Sequence, residues 1–259
     1  MEPVLAELTS ATPMTIGVIA IAITLAGLLL GTTGVGYGLI AGPVLALVEP
    51  SFVPGAVLVT GLSVTALTSL RELQQVNRSL LVAGVAGRVP GALLGAFLAA
   101  YLAPAWFGIA FGGMILLAVM ISITSRRFVA SVVSVGTAGV VSGVMGTLTG
   151  VGAAPMAIVM QNQPGPEMRA TTSAFLLFGA ILSILALSLF GRFGWMDVLR
   201  GAILVPFCLL GFWLSGPLIA LKSFQKFLRP LVLAVCALMS CILLWRSVVS
   251  LLEQGALGS

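Results

Sequence analysis

Two glycine-rich runs interrupt an otherwise apolar chain at matching places in its two halves. The first is Gly31-Thr32-Thr33-Gly34-Val35-Gly36-Tyr37-Gly38, leading to Pro43, and the second extends from Gly143 to Pro155. At a constant offset of 112, Gly31, Gly34, Gly38, Ala41 and Pro43 fall on Gly143, Gly146, Gly150, Ala153 and Pro155. A break repeated in this way is the mark of a duplicated transporter. Interrupted hydrophobic segments in corresponding positions of two halves point to a substrate site near the bilayer midplane.

Composition sets the class. The chain of 259 residues is 59% hydrophobic and 7% charged, with a mean hydropathy of +1.21, which excludes a soluble globular domain. Its net charge of +5 does not point to nucleic acid, because the basic residues are spread one to three per loop and read as topology signals. The first twelve residues carry Glu2 and Glu7 instead of a basic region, so no cleavable signal peptide is expected. Cys208, Cys236 and Cys241 lie in apolar stretches without CxxC spacing and are expected to be inert packing residues. No metal, cofactor or catalytic group is expected.

Apolar segments are expected at 13–30, 35–49, 53–70, 79–101, 105–124, 129–147, 150–161, 169–190, 197–220 and 228–252. About 20 residues make one span, so those at 35–49 and 150–161 are too short and should be re-entrant or discontinuous. Non-helical backbone survives at that depth only when it is buried in protein or lines a wet cavity. The fold class is therefore an all-α polytopic membrane protein. It forms a single transporter domain over 1–259, with five segments in each of two repeats, about 13–124 and 129–252. The correspondence continues if small insertions are allowed: Pro50 and Ala56 match Pro164 and Ala170, and Pro90, Leu93, Leu94 and Gly95 match Pro206, Leu209, Leu210 and Gly211. Pro43, Pro155, Pro90 and Pro206 are the expected hinges or helix breaks.

Arg71 and Arg78, Arg126 and Arg127, Arg169, and Lys222, Lys226 and Arg229 fall in loops that ten crossings place on one side, the cytoplasmic one. The termini and Glu49 then lie on the periplasmic side with an interfacial belt of Tyr101, Trp106, Trp195 and Trp245. Arg192 and Arg200 are exceptions to the charge rule. An odd number of segments per repeat inverts the second half relative to the first.

The chemistry has to come from the few polar residues at depth. Arg88 stands nine residues into the segment that begins at Ser79, roughly 14 Å down a helix. An arginine at that depth costs several kcal/mol in hydrocarbon and requires an anionic or carbonyl partner. It either bonds carbonyls freed by a broken helix or meets substrate. The acidic residues favour substrate: Glu49 and Asp197 are at segment ends, and Glu2, Glu7, Glu72, Glu167 and Glu253 are in tails or loops. Gly34, Gly36 and Gly38, with Gly146, Gly150 and Gly152, would let two short helices aim their N-termini at a common centre. Thr32, Thr33, Thr147 and Thr149 could add hydroxyls there, unless they bond their own helices. Gly91/Gly95 and Gly139/Gly143 are expected to serve close helix packing, and small-residue faces of this kind suit a homodimer equally well.

These residues resemble a known family. Gly139-Val-Val-Ser-Gly143 through Gly150-Val-Gly152-Ala-Ala-Pro155, Gln161-Asn162-Gln163-Pro164 and Met168-Arg169-Ala170-Thr171 are similar to the second repeat of the TauE/SafE sulfite exporter family. Gly34 to Pro43 and Gly87-Arg88-Val-Pro90-Gly91 are similar to its first repeat. The resemblance extends from about Met14 to Trp245. It implies a bacterial inner-membrane transporter, mostly an exporter, of small sulfur oxyanions or sulfonates such as sulfite and sulfoacetate. It also implies that Arg88, Arg169, Thr171, Gln161, Gln163 and both glycine turns match family motif positions. Arg169 is either a snorkelling anchor or an attractor of anions into the inner vestibule. Gln161 and Gln163 cap the short segment or line the pathway. Where the commoner pattern has a Gly-Gly-Gly run, this chain has Thr32-Thr33-Gly34-Val35-Gly36 and Gly150-Val151-Gly152-Ala153-Ala154.

Direction follows from electrostatics. One charge moved through 100 mV is worth about 2.3 kcal/mol, so an inside-negative membrane drives an anion outward without a coupling ion. Proton-coupled uptake normally uses an intramembrane carboxylate or His; the chain has no His, and Glu49 is the nearest coupling candidate. Export is expected, with import of another small anion as the alternative. The lack of His also argues against a Ser-His membrane protease.

Overall fold

The computed structural model describes residues 13–33, 36–123, 130–218 and 222–257. They form α1 (Pro13–Thr33), α2 (Tyr37–Val48), α3 (Gly55–Glu72), α4 (Arg78–Tyr101), α5 (Pro104–Ile123), α6 (Val132–Thr149), α7 (Ala153–Met160), α8 (Gly165–Leu189), α9 (Trp195–Leu218) and α10 (Lys222–Leu257). Of these, α1, α4, α5, α6, α8, α9 and α10 are long and apolar enough to cross a membrane. Large apolar side chains such as Met14, Leu189 and Trp213 lie about four-fifths exposed on the outside, as a lipid-facing surface requires and a water-facing one does not tolerate in such number. The protein is an all-α polytopic membrane protein.

The helices begin and end where the sequence supplies caps. Asn77 starts α4 by accepting from the Leu80 amide, and Ser131 and Ser134 form a reciprocal capping box at the start of α6. The chain turns sharply at both glycine runs. Gly36, before α2, has φ 103°, and Gly150, after α6, has φ 74°. Side chains are disfavoured in that left-handed region by roughly 1–2 kcal/mol. After each turn the chain doubles back, α2 along α1 and α7 along α6. These two short helices have only 12 and 8 residues. The two turns meet: a β-carbon on Gly38 would overlap the Gly150 carbonyl.

Helix ends sort into two faces. On one, Asn77 Nδ2 donates to Glu167 at 2.8 Å and the Asn77 amide donates to Thr171 Oγ1 at 3.0 Å, tying the α3–α4 loop to the first turns of α8. On the other, Arg192 Nε donates to the Ala99 carbonyl at 2.8 Å and Arg200 Nη1 to the Ser51 carbonyl at 3.0 Å. Arg78 and Arg169 belong to the first face, and Glu49, Trp195 and Asp197 to the second. Arg126 and Arg127 lie outside the described residues.

Packing is closest where backbones touch. α4 lies along α6 and α9 along α1, while α3 faces α8 and α5 faces α10. A β-carbon on Gly91 would overlap the Val140 carbonyl, one on Gly139 the Gly84 carbonyl, and one on Gly211 the Thr24 carbonyl. Stripes of small residues give this contact in a bilayer, where hydrophobicity does not drive helices together. Cys208 and Cys236 are buried and Cys241 is exposed.

The proline expectation needs correction. Helices run uninterrupted through Pro43, Pro90 and Pro206, and Pro155 sits in the first turn of α7, where its missing N–H costs nothing. Pro90 and Pro206 occupy exposed positions, so the carbonyl each one frees lies away from the packed face. The breaks lie at the glycines that precede Pro43 and Pro155.

Candidate functional site

The buried residues of α4 recur at Leu80, Gly84, Arg88, Gly91, Ala92, Gly95, Ala96 and Ala99, a stripe with the helical period. This register carries Arg88 inward to 2% exposure. Absent side chains on the neighbours make room for it: β-carbons on Gly146, Gly152 or Gly179 would each overlap or crowd the guanidinium. Arg88 Nη1 donates to Ser142 Oγ at 2.8 Å, and Ser142 in turn donates to the Gly152 carbonyl. Its Cζ stands 4.9 Å from the centre of the Phe175 ring, a cation–π distance. Nε is buried with no hydrogen-bond partner, and no carboxylate among the described residues pairs with the group.

Arg88 borders a cavity of about 60 Å³ between the two glycine turns, which also meets Gly36, Tyr37, Gly38, Gly150 and Gly152. One water needs roughly 10–15 Å³ on this measure, so the space suits a few waters or one small anion. The N-terminal turns of α2 and α7 open onto it, and their first amides have no intrahelical acceptor. The rest of the lining is largely apolar, with Leu30, Leu39, Val57, Leu58 and Leu176, and includes Thr65.

Several expected residues lie elsewhere. Thr32 Oγ1 donates to the Leu28 and Leu29 carbonyls, both at 3.0 Å. Thr149 Oγ1 donates to Met145 and accepts from the Val151 amide, stabilising the turn. Thr147 shares a 2.8 Å hydrogen bond with Ser183. Thr32 and Thr149 are thus satisfied within their own helix or turn and Thr147 by a neighbouring helix, whereas the buried Thr172 hydroxyl has no partner. Thr33's side chain and Gly34 lie outside the described residues. Gln161 and Gln163, in the α7–α8 connection, and Arg169 and Thr171, in the first two turns of α8, sit on the Asn77 face and are not among the residues that line the cavity. Glu49 ends α2 on the opposite face, where it accepts from Ser51 Oγ at 2.9 Å. Ser142, Phe175, Gly179 and Tyr37 are additions that sequence reasoning did not select. Ser142 was visible as a polar residue between Gly139 and Gly143, but the contact through which it acts joins residues 54 apart.

A multi-pass helical protein that encloses a cationic cavity between two broken hairpins has the design of a membrane transporter. The family described as Sulfite exporter TauE/SafE matches residues 19–243. The chain belongs to the TauE/SafE sulfite exporter family. No curated protein and no solved structure matches it.

Proposed function

We propose that the protein exports a small sulfur-containing anion, sulfite or a short sulfonate such as sulfoacetate, across a bacterial inner membrane, with Arg88 as the anchor of the anion. The observation that carries this is a buried guanidinium, without a carboxylate partner among the described residues, at the edge of a cavity onto which two helix N-termini open. A guanidinium and backbone amides both favour oxyanions, and a desolvated cation without a countercharge gains most from one brought by substrate. The apolar part of the lining suits the carbon end of a sulfonate.

Alternating access fits a pair of repeats of opposite orientation, about 13–124 and 129–252. Their exchange is supported by the packing, since swapping the halves turns the α4–α6 contact into α9–α1 and the α4–α8 contact into α9–α3. The Arg78 and Arg169 face is taken as cytoplasmic by its positive charge, with the termini on the other side.

Thermal unfolding of the purified protein against sulfite, sulfate, sulfoacetate, isethionate, taurine, oxalate and lactate tests this. One sulfur anion should raise the midpoint in the wild type and not in Arg88→Ala. A shift that survives the substitution, or none with any anion, would leave Arg88 as a structural bond donor to the α6–α7 turn and refute the proposal.

A further inference from the structure

Arg192 and Arg200 defy the charge rule that orders the other loops, and Arg192 borders a second cavity. This space of about 390 Å³ opens at the face opposite Arg169 and is bounded by Ser51, Pro54, Ala99, Phe107, Arg192 and Asp197. Arg192 uses Nε to hold the Ala99 carbonyl in the last turn of α4, which fixes the base of its fork. Nη1 and Nη2 bond no described residue. Two acids stand nearby and each already accepts a hydrogen bond: Asp197 from the Gly194 amide at 2.9 Å, capping the turn into α9, and Glu49 from Ser51 Oγ at 2.9 Å.

One apolar cluster borders both this vestibule and the Arg88 cavity. Leu58, which lines the inner cavity, packs in it with Ala96, Leu148 and Leu187, and Phe107, which lines the vestibule, packs against the same cluster. The two spaces are close along the chain: the Leu58 amide donates to the Pro54 carbonyl at 3.1 Å, so one turn of α3 leads from the vestibule to the inner cavity.

We infer that the vestibule is a second anion station, with the Arg192 guanidinium as its cation, which receives the exported anion when the apolar cluster around Leu58 parts. The inference rests on the Arg88 proposal for the direction of traffic. A planar fork suits a sulfonate or sulfite oxygen pair. Exposure to water and the charge of Asp197 make the station weak, as a place of release must be, since an anion held tightly there would not leave.

A cysteine at position 51 reports the charge in the vestibule. In the full-length Cys241→Ser protein, Ser51→Cys is labelled with a sulfonated and with a neutral maleimide, and the ratio of the two rates is measured with Arg192, Arg192→Gln and Arg192→Lys. The ratio is expected to fall at least tenfold with Gln and less than threefold with Lys. Millimolar sulfoacetate should slow labelling in the Arg192 and Arg88→Ala proteins but not in Arg192→Gln. An unchanged ratio in Arg192→Gln, an equal fall with Lys and Gln, or no protection by sulfoacetate would overturn the inference. The Arg88 proposal is judged separately by its own thermal shift, so failure of either one is distinguishable.

Discussion

At the α6–α7 break the chain surrounds a guanidinium, whereas at the α1–α2 break it surrounds an aromatic ring and aliphatic side chains. With Pro90 set on Pro206, the position paired with Arg88 is Leu204, also 2% exposed. Leu30 likewise stands at the position of Ser142, Gly61 at that of Phe175 and Thr65 at that of Gly179. Each exchange removes part of a cation site: the charge, its hydrogen-bond relay, its aromatic face and the space beside it. Tyr37 fills the resulting gap, its ring lying where a β-carbon on Gly61 would be 3.4 Å from it. A repeated backbone therefore carries unrepeated chemistry. Burying two cations would double a desolvation cost that one small anion cannot offset.

The contrast breaks most severely if the empty space beside Arg88 is filled. Gly179→Ala puts a methyl on the Cζ and Nε atoms of the guanidinium, whereas the α8 backbone gains helix propensity from the change. Displacing a charged donor from its ligand is expected to weaken anion binding by ~2–3 kcal/mol, close to the loss in Arg88→Ala. Sulfoacetate titration checks it, and wild-type affinity in Gly179→Ala would mean the anion does not engage this guanidinium.

Ser142→Ala removes the relay and keeps the charge. Arg88 Nη1 and the Gly152 carbonyl both lose the hydroxyl that links them, so Arg88 gains freedom and the α6–α7 turn loosens. The expected loss in binding is ~1–1.5 kcal/mol, about tenfold, with a lower midpoint of thermal unfolding in the absence of anion. Ser142→Thr keeps the hydroxyl and should bind more tightly than Ser142→Ala. Equal affinity in the two variants would mean that the relay does not position Arg88.

The frame of this site was legible and its furnishing was not. Two glycine runs with following prolines announced two short segments, and the depth of Arg88 announced a buried cation, because interruptions and charges are rare in apolar chains. The prolines misled as to where helices stop: a bilayer helix tolerates proline when the bared carbonyl is met from outside or faces away from the packed interior. The threonines misled because a hydroxyl at depth reaches its own helix first, as Thr32 and Thr149 do. Gly179 and Phe175 were invisible for another reason. They act only by facing Arg88 across α4 and α8, and no local pattern encodes that pairing.

The smallest effect sharpens the comparison from its apolar side. Tyr37 borders the cavity, and its hydroxyl is buried beside Thr60 without a well-formed hydrogen bond; a buried unsatisfied hydroxyl costs roughly 1–3 kcal/mol. If the α1–α2 half serves as an apolar wall, Tyr37→Phe relieves that cost and keeps the ring over Gly61. The midpoint of unfolding should then rise by a few degrees at most, with sulfoacetate affinity within a factor of two of wild type. If the hydroxyl instead turns toward a bound anion, the same substitution weakens binding about tenfold, with little change in the midpoint without ligand. Measuring both quantities on one protein separates the two cases, because relief of an unsatisfied group acts on the empty protein and loss of a ligand donor acts only on the complex. The second outcome would end the division into a cationic half and an apolar half. It would make the duplicated turns joint contributors of hydrogen bonds to one anion.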